Sequence, residues 1–238
     1  MSISTPLPGT AIDPLYPDSD GQPMGETGFH VSASIVLYTT LTNFFRGRQD
    51  VFVGGDMFVY YERGNPRACK APDVFAAIGV AGNHERRSFR LWEELVGPTA
   101  VFEVTSSGTF DEDDLVKPLV YAQIGVKEYF MFDPDCENLD PPLKGRRLAD
   151  GDYEIMVPDR AGRLMSRELG LLLEVDGPLL RTIDARTGER LLSSEEFADA
   201  NDELRHRLEK LERQAEAEKR RAAALEAELR RLGGTPPP

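Results

Sequence analysis

The feature that most constrains the fold is an apolar run, a helical pattern and a second apolar run in close succession. Residues 100–105 and 128–133 are apolar over the length of a strand, and residues 113–124 between them carry apolar side chains at helical spacing. Strands that alternate with helices of this size are typical of an α/β domain. In such a domain we expect the functional site where strand ends converge with the start of a helix.

Further strands are predicted on both sides of this unit. Short apolar runs at 51–53, 57–61 and 74–80 are bounded by Gly, Pro or charged residues, as sheet strands usually are. Turn-forming pairs punctuate residues 143–192, which predicts successive hairpins. We therefore expect one domain over residues 28–192, with a β-hairpin-rich extension in its C-terminal part.

Two N-terminal segments differ in amino-acid composition. Residues 27–45 are uncharged, but Ser, Thr and Asn interrupt them repeatedly, so we expect a buried amphipathic helix and no membrane partner. Residues 1–27 are rich in Pro, Gly and Asp and begin with neither a basic stretch nor an apolar one. They predict a disordered segment that is not a secretory signal.

The C-terminal region is predicted to form one long coiled-coil helix over residues 193–232. Ser193 and Glu196 make a capping box at its start, and Gly233-Gly234 ends it before a disordered tail at 233–238. Alternating steps of four and three residues define an a/d seam, which consists of Leu204, Leu208, Leu211, Ala215, Glu218, Ala222, Leu225, Leu229 and Leu232. A parallel homodimer, an antiparallel homodimer, a helix folded back on the domain and a solvated single helix all remain open, and we favour a homodimer.

The charge balance limits how this protein can bind nucleic acid. The chain has 28 Lys and Arg residues against 41 Asp and Glu residues, a formal charge of -13. A broad basic surface is excluded, so any contact with phosphates must be local. Cys69 and Cys136 are far apart in sequence and lack a CxxC partner, which indicates neither a zinc cluster nor a disulfide framework. A reducing, cytoplasmic location is the simplest expectation.

Two carboxylates mark a candidate metal site. Glu103 lies inside an apolar run, where a buried carboxylate needs a partner or a metal ion, and Asp73 leads into the run at 74–80. Together at adjacent strand ends they would bind Mg2+ or Mn2+, with the backbone carbonyl of Val104 as a further ligand. Lys117 on the following helix would orient or deprotonate the attacking water. These are the components of metal-assisted phosphodiester hydrolysis.

A linked series of motifs resembles the Uma-two family (domain of unknown function 820), within the PD-(D/E)XK restriction-endonuclease-like superfamily. The series consists of Pro72-Asp73, Phe102-Glu103-Val104-Thr105-Ser106, Thr109, Asp113, Lys117, Tyr121, Gly125-Val126, Glu128-Tyr129 and Asp133-Pro134. The resemblance implies a mixed sheet flanked by helices and Mg2+-dependent cleavage of DNA. It also implies that Asp73 and Glu103 are metal ligands and that Lys117 is the catalytic lysine.

The position of the lysine departs from the superfamily pattern. Thr105 stands two residues after Glu103, where the superfamily has its lysine, whereas Lys117 matches the lysine that the Uma-two pattern has on the next helix. Asp113, Lys117 and Tyr121 follow one another at intervals of four, so they share a helix face. Taken singly, Asp73 fits a turn and Lys117 fits a surface residue paired with Asp113. The joint pattern favours the metal site.

Two functions from different classes remain. Arg86 and Arg87 lie in a polar loop that could contact a phosphate backbone, although a solvated loop explains them equally well. The first function is a metal-dependent endonuclease that acts on DNA. The alternative is an inactive nuclease-fold scaffold that binds a partner through its coiled coil, which the acidic balance would suit.

Overall fold

The computed structural model describes residues 7–9, 13–19, 27–82 and 84–232 of the chain. It divides into two compact units, Met1–Ser193 and Ser194–Pro238. Its elements in chain order are α1 (Gly28–Phe44), β1 (Val51–Gly55), β2 (Val59–Tyr60), β3 (Cys69–Lys70), β4 (Val74–Ile78), β5 (Phe89–Arg90), α2 (Leu91–Glu94), β6 (Ala100–Val104), a π-helical segment (Glu112–Val116), α3 (Lys117–Gln123), β7 (Glu128–Phe132), β8 (Leu143–Ala149), β9 (Asp152–Ile155), β10 (Leu164–Ser166), β11 (Leu171–Asp176), β12 (Leu179–Asp184) and α4 (Ser194–Arg231).

The centre of the first unit is a mixed six-stranded sheet in the order β1-β4-β6-β7-β8-β9. The pair β6 and β7 is parallel, because the π-helical segment and α3 carry the chain across one face between them, and the other neighbouring pairs are antiparallel. Every residue of β6 and β7 is buried. The predicted mixed sheet flanked by helices is confirmed.

Two apolar cores cover the two faces of this sheet. On one face α1 packs through Ala33, Leu37 and Leu41 against alternate residues of β4 and β6. On the other face Tyr121 of α3 packs with Phe75, Val101 and Tyr129. Because side chains alternate along a strand, Glu103 shares the face of Val101 and therefore points toward α3. The sheet thus aims this carboxylate at the helix that carries Lys117.

The predicted hairpin region divides between two sheets. The β8–β9 hairpin extends the main sheet, and its turn places Asp150 and Gly151 at positive φ of 51° and 95°, the conformation that a two-residue hairpin turn requires. Strands β10, β11 and β12 form a separate antiparallel sheet. Their leucines, Leu171 and Leu173 among them, join the core beneath α1. This part of the extension is therefore integral to the domain core.

The helix expected over residues 113–124 is interrupted in the structure. Pro118 has no N–H to donate to the carbonyl of Asp114, and the bond pattern shifts so that the Lys117 N–H donates to the carbonyl of Glu112. Side chains from the sheet satisfy the carbonyls freed in this way. The Tyr129 hydroxyl donates to the Asp113 carbonyl at 2.6 Å, and Arg146 donates to the Asp114 carbonyl at 3.0 Å. This π-helical segment ends where Lys117 begins α3.

The predictions for the two chain ends have different outcomes. Residues 1–6, 10–12, 20–26 and 233–238 lie outside the described residues, so the predicted disorder there stays a prediction. The described residues 13–19 instead lie against the domain, where Tyr16 is buried and packs on Tyr60 and Trp92. The long C-terminal helix is present as α4, and none of its side chains is buried. None of the helices in the described part of the chain has the length and hydropathy of a membrane-spanning segment.

We expect Tyr129→Phe to destabilise the protein by about 1–2 kcal/mol, because it leaves the buried Asp113 carbonyl without its donor. Chemical denaturation with a linear extrapolation measures this difference. Tyr38→Phe is the matched control, since Tyr38 is exposed, and its effect should stay within about 0.5 kcal/mol. Equal stabilities of the two variants would contradict the role assigned to the Tyr129 hydroxyl.

Candidate active site

Asp73 and Glu103 face each other across two neighbouring strands. The β4–β6 register pairs Val74 with Phe102, so one step further along the ladder brings Asp73 opposite Glu103. The Asp73 N–H lies 3.4 Å from Oε2 of Glu103, and Oδ2 of Asp73 accepts the Val104 N–H at 2.7 Å. Backbone pairing therefore fixes the two carboxylates that the sequence analysis singled out.

The carboxylate of Glu103 is buried, and both of its oxygens have polar partners. Only 1% of the residue is exposed. The Tyr121 hydroxyl donates to Oε1 at 2.9 Å, and Nζ of Lys117 lies 2.8 Å from Oε2. These donors replace the hydrogen bonds that the carboxylate would make with water, which is what a buried charge requires.

Lys117 lies between two carboxylates. Its Nζ is 2.8 Å from Glu103 and 2.8 Å from Oδ1 of Asp113, one helical turn earlier in the chain. The Lys117 side chain remains 12% exposed, whereas those of Glu103 and Asp113 are at most 1% exposed. The structure thus brings Asp73, Glu103 and Lys117 together, and the Lys117 side chain is more exposed than the two carboxylates that it contacts.

The electrostatics of the cluster favour a charged lysine. Burial raises the pKa of Glu103 to about 8, an effect that Lys117 opposes and that Asp73 and Asp113 reinforce. Burial opposes the charge on Lys117, but Glu103 and Asp113 outweigh it and raise the lysine pKa above its usual range. Burial, followed by the nearby Glu103, also raises the pKa of Tyr121. Lys117 is therefore an ammonium donor and Tyr121 a neutral hydroxyl at physiological pH.

His30 also belongs to the site, although the sequence analysis assigned it no function. It lies in the first turn of α1 on the buried face, and its Nε2 is 3.5 Å from Oδ2 of Asp73. One signal was present in the sequence: His30 shares the spacing of Ala33 and Leu37, which places an imidazole on an otherwise apolar helix face. Its partner Asp73 is more than forty residues away, and only the fold brings the two together.

The donor set fits a divalent cation that keeps several of its waters. Two carboxylates supply the hard oxygens that Mg2+ and Mn2+ prefer, and 20% of the Asp73 side chain is exposed. A cavity of about 180 Å³ next to Asp73 is lined by Ile35, Tyr38, Gly55 and neighbouring residues. Within the described residues, no group of three or more His, Cys, Asp or Glu side chains is arranged to hold a metal. Two protein carboxylates are therefore the candidate ligands. Val104 donates its N–H to Asp73, and the metal contact expected of its backbone carbonyl stays a prediction.

The expectation that Arg86 contacts substrate is wrong. Its guanidinium is fully buried, donates to Glu94 at 2.7 and 3.0 Å, and lies 4.1 Å from the centre of the Phe52 ring. Such a pair is satisfied within the protein and has no donor facing solvent. Arg87 is half-exposed and pairs with Asp18, so its proposed contact with phosphate stays a prediction.

Comparison with known proteins identifies the family. A family profile named Uma2 and described as "Putative restriction endonuclease" matches residues 15–179. The chain belongs to the Uma2 family. This confirms the resemblance found in the motifs around Asp73, Glu103 and Lys117.

Similarity to solved structures is weaker than the match to the family profile. A crystal structure described as "a putative nuclease belonging to DUF820" from Anabaena variabilis is similar to this Uma2 protein at 15% sequence identity. The match has a TM-score of 0.45 and covers 62% of this chain and 76% of that one. No curated protein matches the sequence.

We expect Arg86→Ala to lower the free energy of unfolding by about 3–5 kcal/mol, because it leaves Glu94 buried without its cation. Arg87→Ala is the neighbouring control and should change stability by less than about 0.5 kcal/mol. Urea denaturation followed by circular dichroism measures both. A small effect of Arg86→Ala would show that the Glu94 carboxylate finds water or another donor.

Proposed function

We propose that this Uma2 protein is a Mg2+- or Mn2+-dependent endonuclease that hydrolyses phosphodiester bonds in DNA. The observation that carries the proposal is the convergence of Asp73, Glu103 and Lys117 at the ends of strands β4 and β6, with both carboxylates fixed by strand pairing and the lysine by α3. Membership of a family described as restriction endonucleases supports the same chemistry.

In this proposal Asp73 and Glu103 hold the metal ion. A divalent cation bound there would polarise the phosphate and would lower the pKa of a bound water. The ammonium of Lys117 donates to a non-bridging phosphate oxygen or to the attacking water, and it stabilises the negative charge that develops as the new P–O bond forms and the leaving-group bond breaks. Asp113 keeps Nζ of Lys117 in place for this contact.

Two further residues position the carboxylates. The Tyr121 hydroxyl holds Oε1 of Glu103 and so fixes the plane of that carboxylate. His30 faces Oδ2 of Asp73 from α1. Substitution of a residue that hydrogen-bonds to a metal ligand commonly lowers the affinity for the metal. We assign both residues a positioning role.

We expect wild-type protein to cleave supercoiled plasmid or single-stranded DNA with Mg2+ or Mn2+ and to lose this activity in EDTA. Glu103→Gln and Lys117→Ala should each reduce the rate at least about 100-fold, because they remove a metal ligand and the cation next to the phosphate. Lys127→Ala is the matched control, since Lys127 is a largely exposed lysine that pairs with Glu168, and it should cleave at the wild-type rate.

Circular dichroism before the assay establishes that each variant is folded, and Glu103→Gln is chosen because it keeps the shape of the buried side chain. Absence of cleavage by folded wild-type protein at low salt, together with absence of Mn2+ binding by calorimetry, would overturn the proposal. The scaffold function would then be the better explanation of the fold. Cleavage that survives both substitutions would overturn the assignment of the site.

We expect His30→Ala to weaken Mn2+ binding about 10- to 100-fold, because Asp73 loses the group that orients it. Isothermal titration calorimetry on the full chain measures the affinity without requiring turnover. His206→Ala is the matched control, because His206 lies on the exposed α4 helix and should leave the affinity unchanged. An unchanged Kd in His30→Ala would exclude the positioning role.

A further inference from the structure

Helix α4 carries an uncovered apolar stripe. The leucines of its a/d seam are 43% to 72% exposed, and no residue in the helix is buried. A single helix with a solvated apolar seam gains little stability from that seam, because helices in water depend mainly on burying an apolar face against a partner. The seam therefore needs an occupant, and the charges that flank it indicate which one.

We propose that α4 pairs with α4 of a second copy of this chain as an antiparallel coiled coil in one register. In this register an a position of one helix packs against a d position of the other. The leucines then meet at both ends of the overlap, as Leu204 with Leu229 and Leu208 with Leu225 of the second copy. Nearer the middle, Leu211 lies opposite Ala222. This inference does not depend on the proposed nuclease activity.

Glu218 decides against a parallel arrangement. It occupies a d position, so in a parallel in-register dimer it would lie opposite Glu218 of the second copy. Two carboxylates would then share one seam layer, flanked by Ala215 and Ala222, which fill little of the space around them. Like charges brought together and partly desolvated are strongly unfavourable. The antiparallel register instead places Glu218 opposite Ala215 and separates the two carboxylates into different layers.

The charges beside the seam complement one another in the same register. Antiparallel helices bring e positions next to e positions and g positions next to g positions. The facing residues then have opposite signs, and each pair occurs twice by symmetry: Arg205 with Glu226, Arg207 with Glu228, and Glu212 with Lys219. The parallel dimer forms fewer opposite-sign pairs, Arg207 with Glu212 and Arg221 with Glu226.

The alternative antiparallel registers are disfavoured by repulsion. A shift of one heptad in one direction brings Glu212 opposite Glu226 of the second copy, and a shift in the other direction brings Arg207 opposite Arg221. Like charges at facing flank positions are destabilising, whereas opposite charges select partner and orientation. One register therefore satisfies both the apolar seam and its charged flanks.

The antiparallel pairing separates the N-terminal ends of the two α4 helices. The overlap from Leu204 to Leu229 spans about 38 Å at 1.5 Å per residue. The N-terminal ends of the two helices lie at opposite ends of that overlap. Because α4 follows the first unit in the chain, each first unit is linked to the N-terminal end of its own helix.

A charge exchange tests the register in the full chain. We expect Arg207→Glu to raise the dimer dissociation constant about tenfold, because two attractive pairs become repulsive. Adding Glu228→Arg should restore wild-type affinity. Adding Glu212→Arg, which gives the same net charge, should weaken the dimer further, since position 212 would then face Lys219. Analytical ultracentrifugation over a concentration series measures all four proteins.

The opposite pattern, with rescue by Glu212→Arg and not by Glu228→Arg, would show a parallel dimer and overturn the proposal. A concentration-independent monomer mass for the wild type would overturn it as well. Circular dichroism of each variant separates loss of pairing from loss of the folded first unit, whose strands and helices should remain unchanged.

A distance measurement gives an independent readout. A spin label on Glu203→Cys, with Cys69→Ser and Cys136→Ser to remove the native thiols, should give an interlabel distance of about 40 Å in the antiparallel dimer. A parallel dimer would place the two labels within about 20 Å of each other, since helices in coiled coils lie about 10 Å apart. A short distance would therefore overturn the orientation.

Discussion

The candidate site depends on the burial of one carboxylate, that of Glu103. A charge inside a sheet is unfavourable, and burial is the main cause that raises the pKa of this group to about 8. The surrounding contacts offset that penalty: a hydroxyl from Tyr121, an ammonium from Lys117 and the Asp73 N–H converge on the same two oxygens. Two of these donors lie on α3, and the third is the backbone of the residue that precedes β4. The contacts that stabilise the buried carboxylate therefore also bring β4, β6 and α3 together at the site.

Lys117 is positioned by the π-helical segment that precedes it and by side chains from later strands that hydrogen-bond to the carbonyls of this segment. Pro118 prevents a regular helix through this segment, and the resulting π-helical segment leaves carbonyls that Tyr129 and Arg146 satisfy from β7 and β8. Proline near the start of α3 is visible in the sequence, and so is the shared face of Asp113, Lys117 and Tyr121. The shift in the hydrogen-bond pattern is not visible there, because the groups that stabilise it arrive from strands later in the chain.

The structural features that depend on local residue patterns could be predicted from the sequence. The features that depend on tertiary contacts could not. Strands β4, β6 and β7 and helix α1 follow from apolar periodicity, and the proximity of Asp73 to Glu103 follows from placing both at neighbouring strand ends. The prediction that Arg86 contacts substrate failed because a tertiary contact determines where this side chain lies. Charge and position in a polar loop suggested exposure, whereas the fold buries this arginine against Glu94 and Phe52. His30 was missed because its partner, Asp73, is remote in sequence and adjacent only in the fold.

The acidity of the chain and the proposed metal dependence are two aspects of the same electrostatics. Glu103 and Asp113 both contact Lys117, so its single positive charge is already matched by neighbouring carboxylates. A phosphate that approached this cluster alone would meet net negative charge. A divalent cation held by Asp73 and Glu103, as proposed, would reverse the local field and leave the Lys117 ammonium available to the anion. In the proposed function the cluster would bind a cation before a phosphate, and a net charge of -13 is compatible with a substrate that is itself a polyanion.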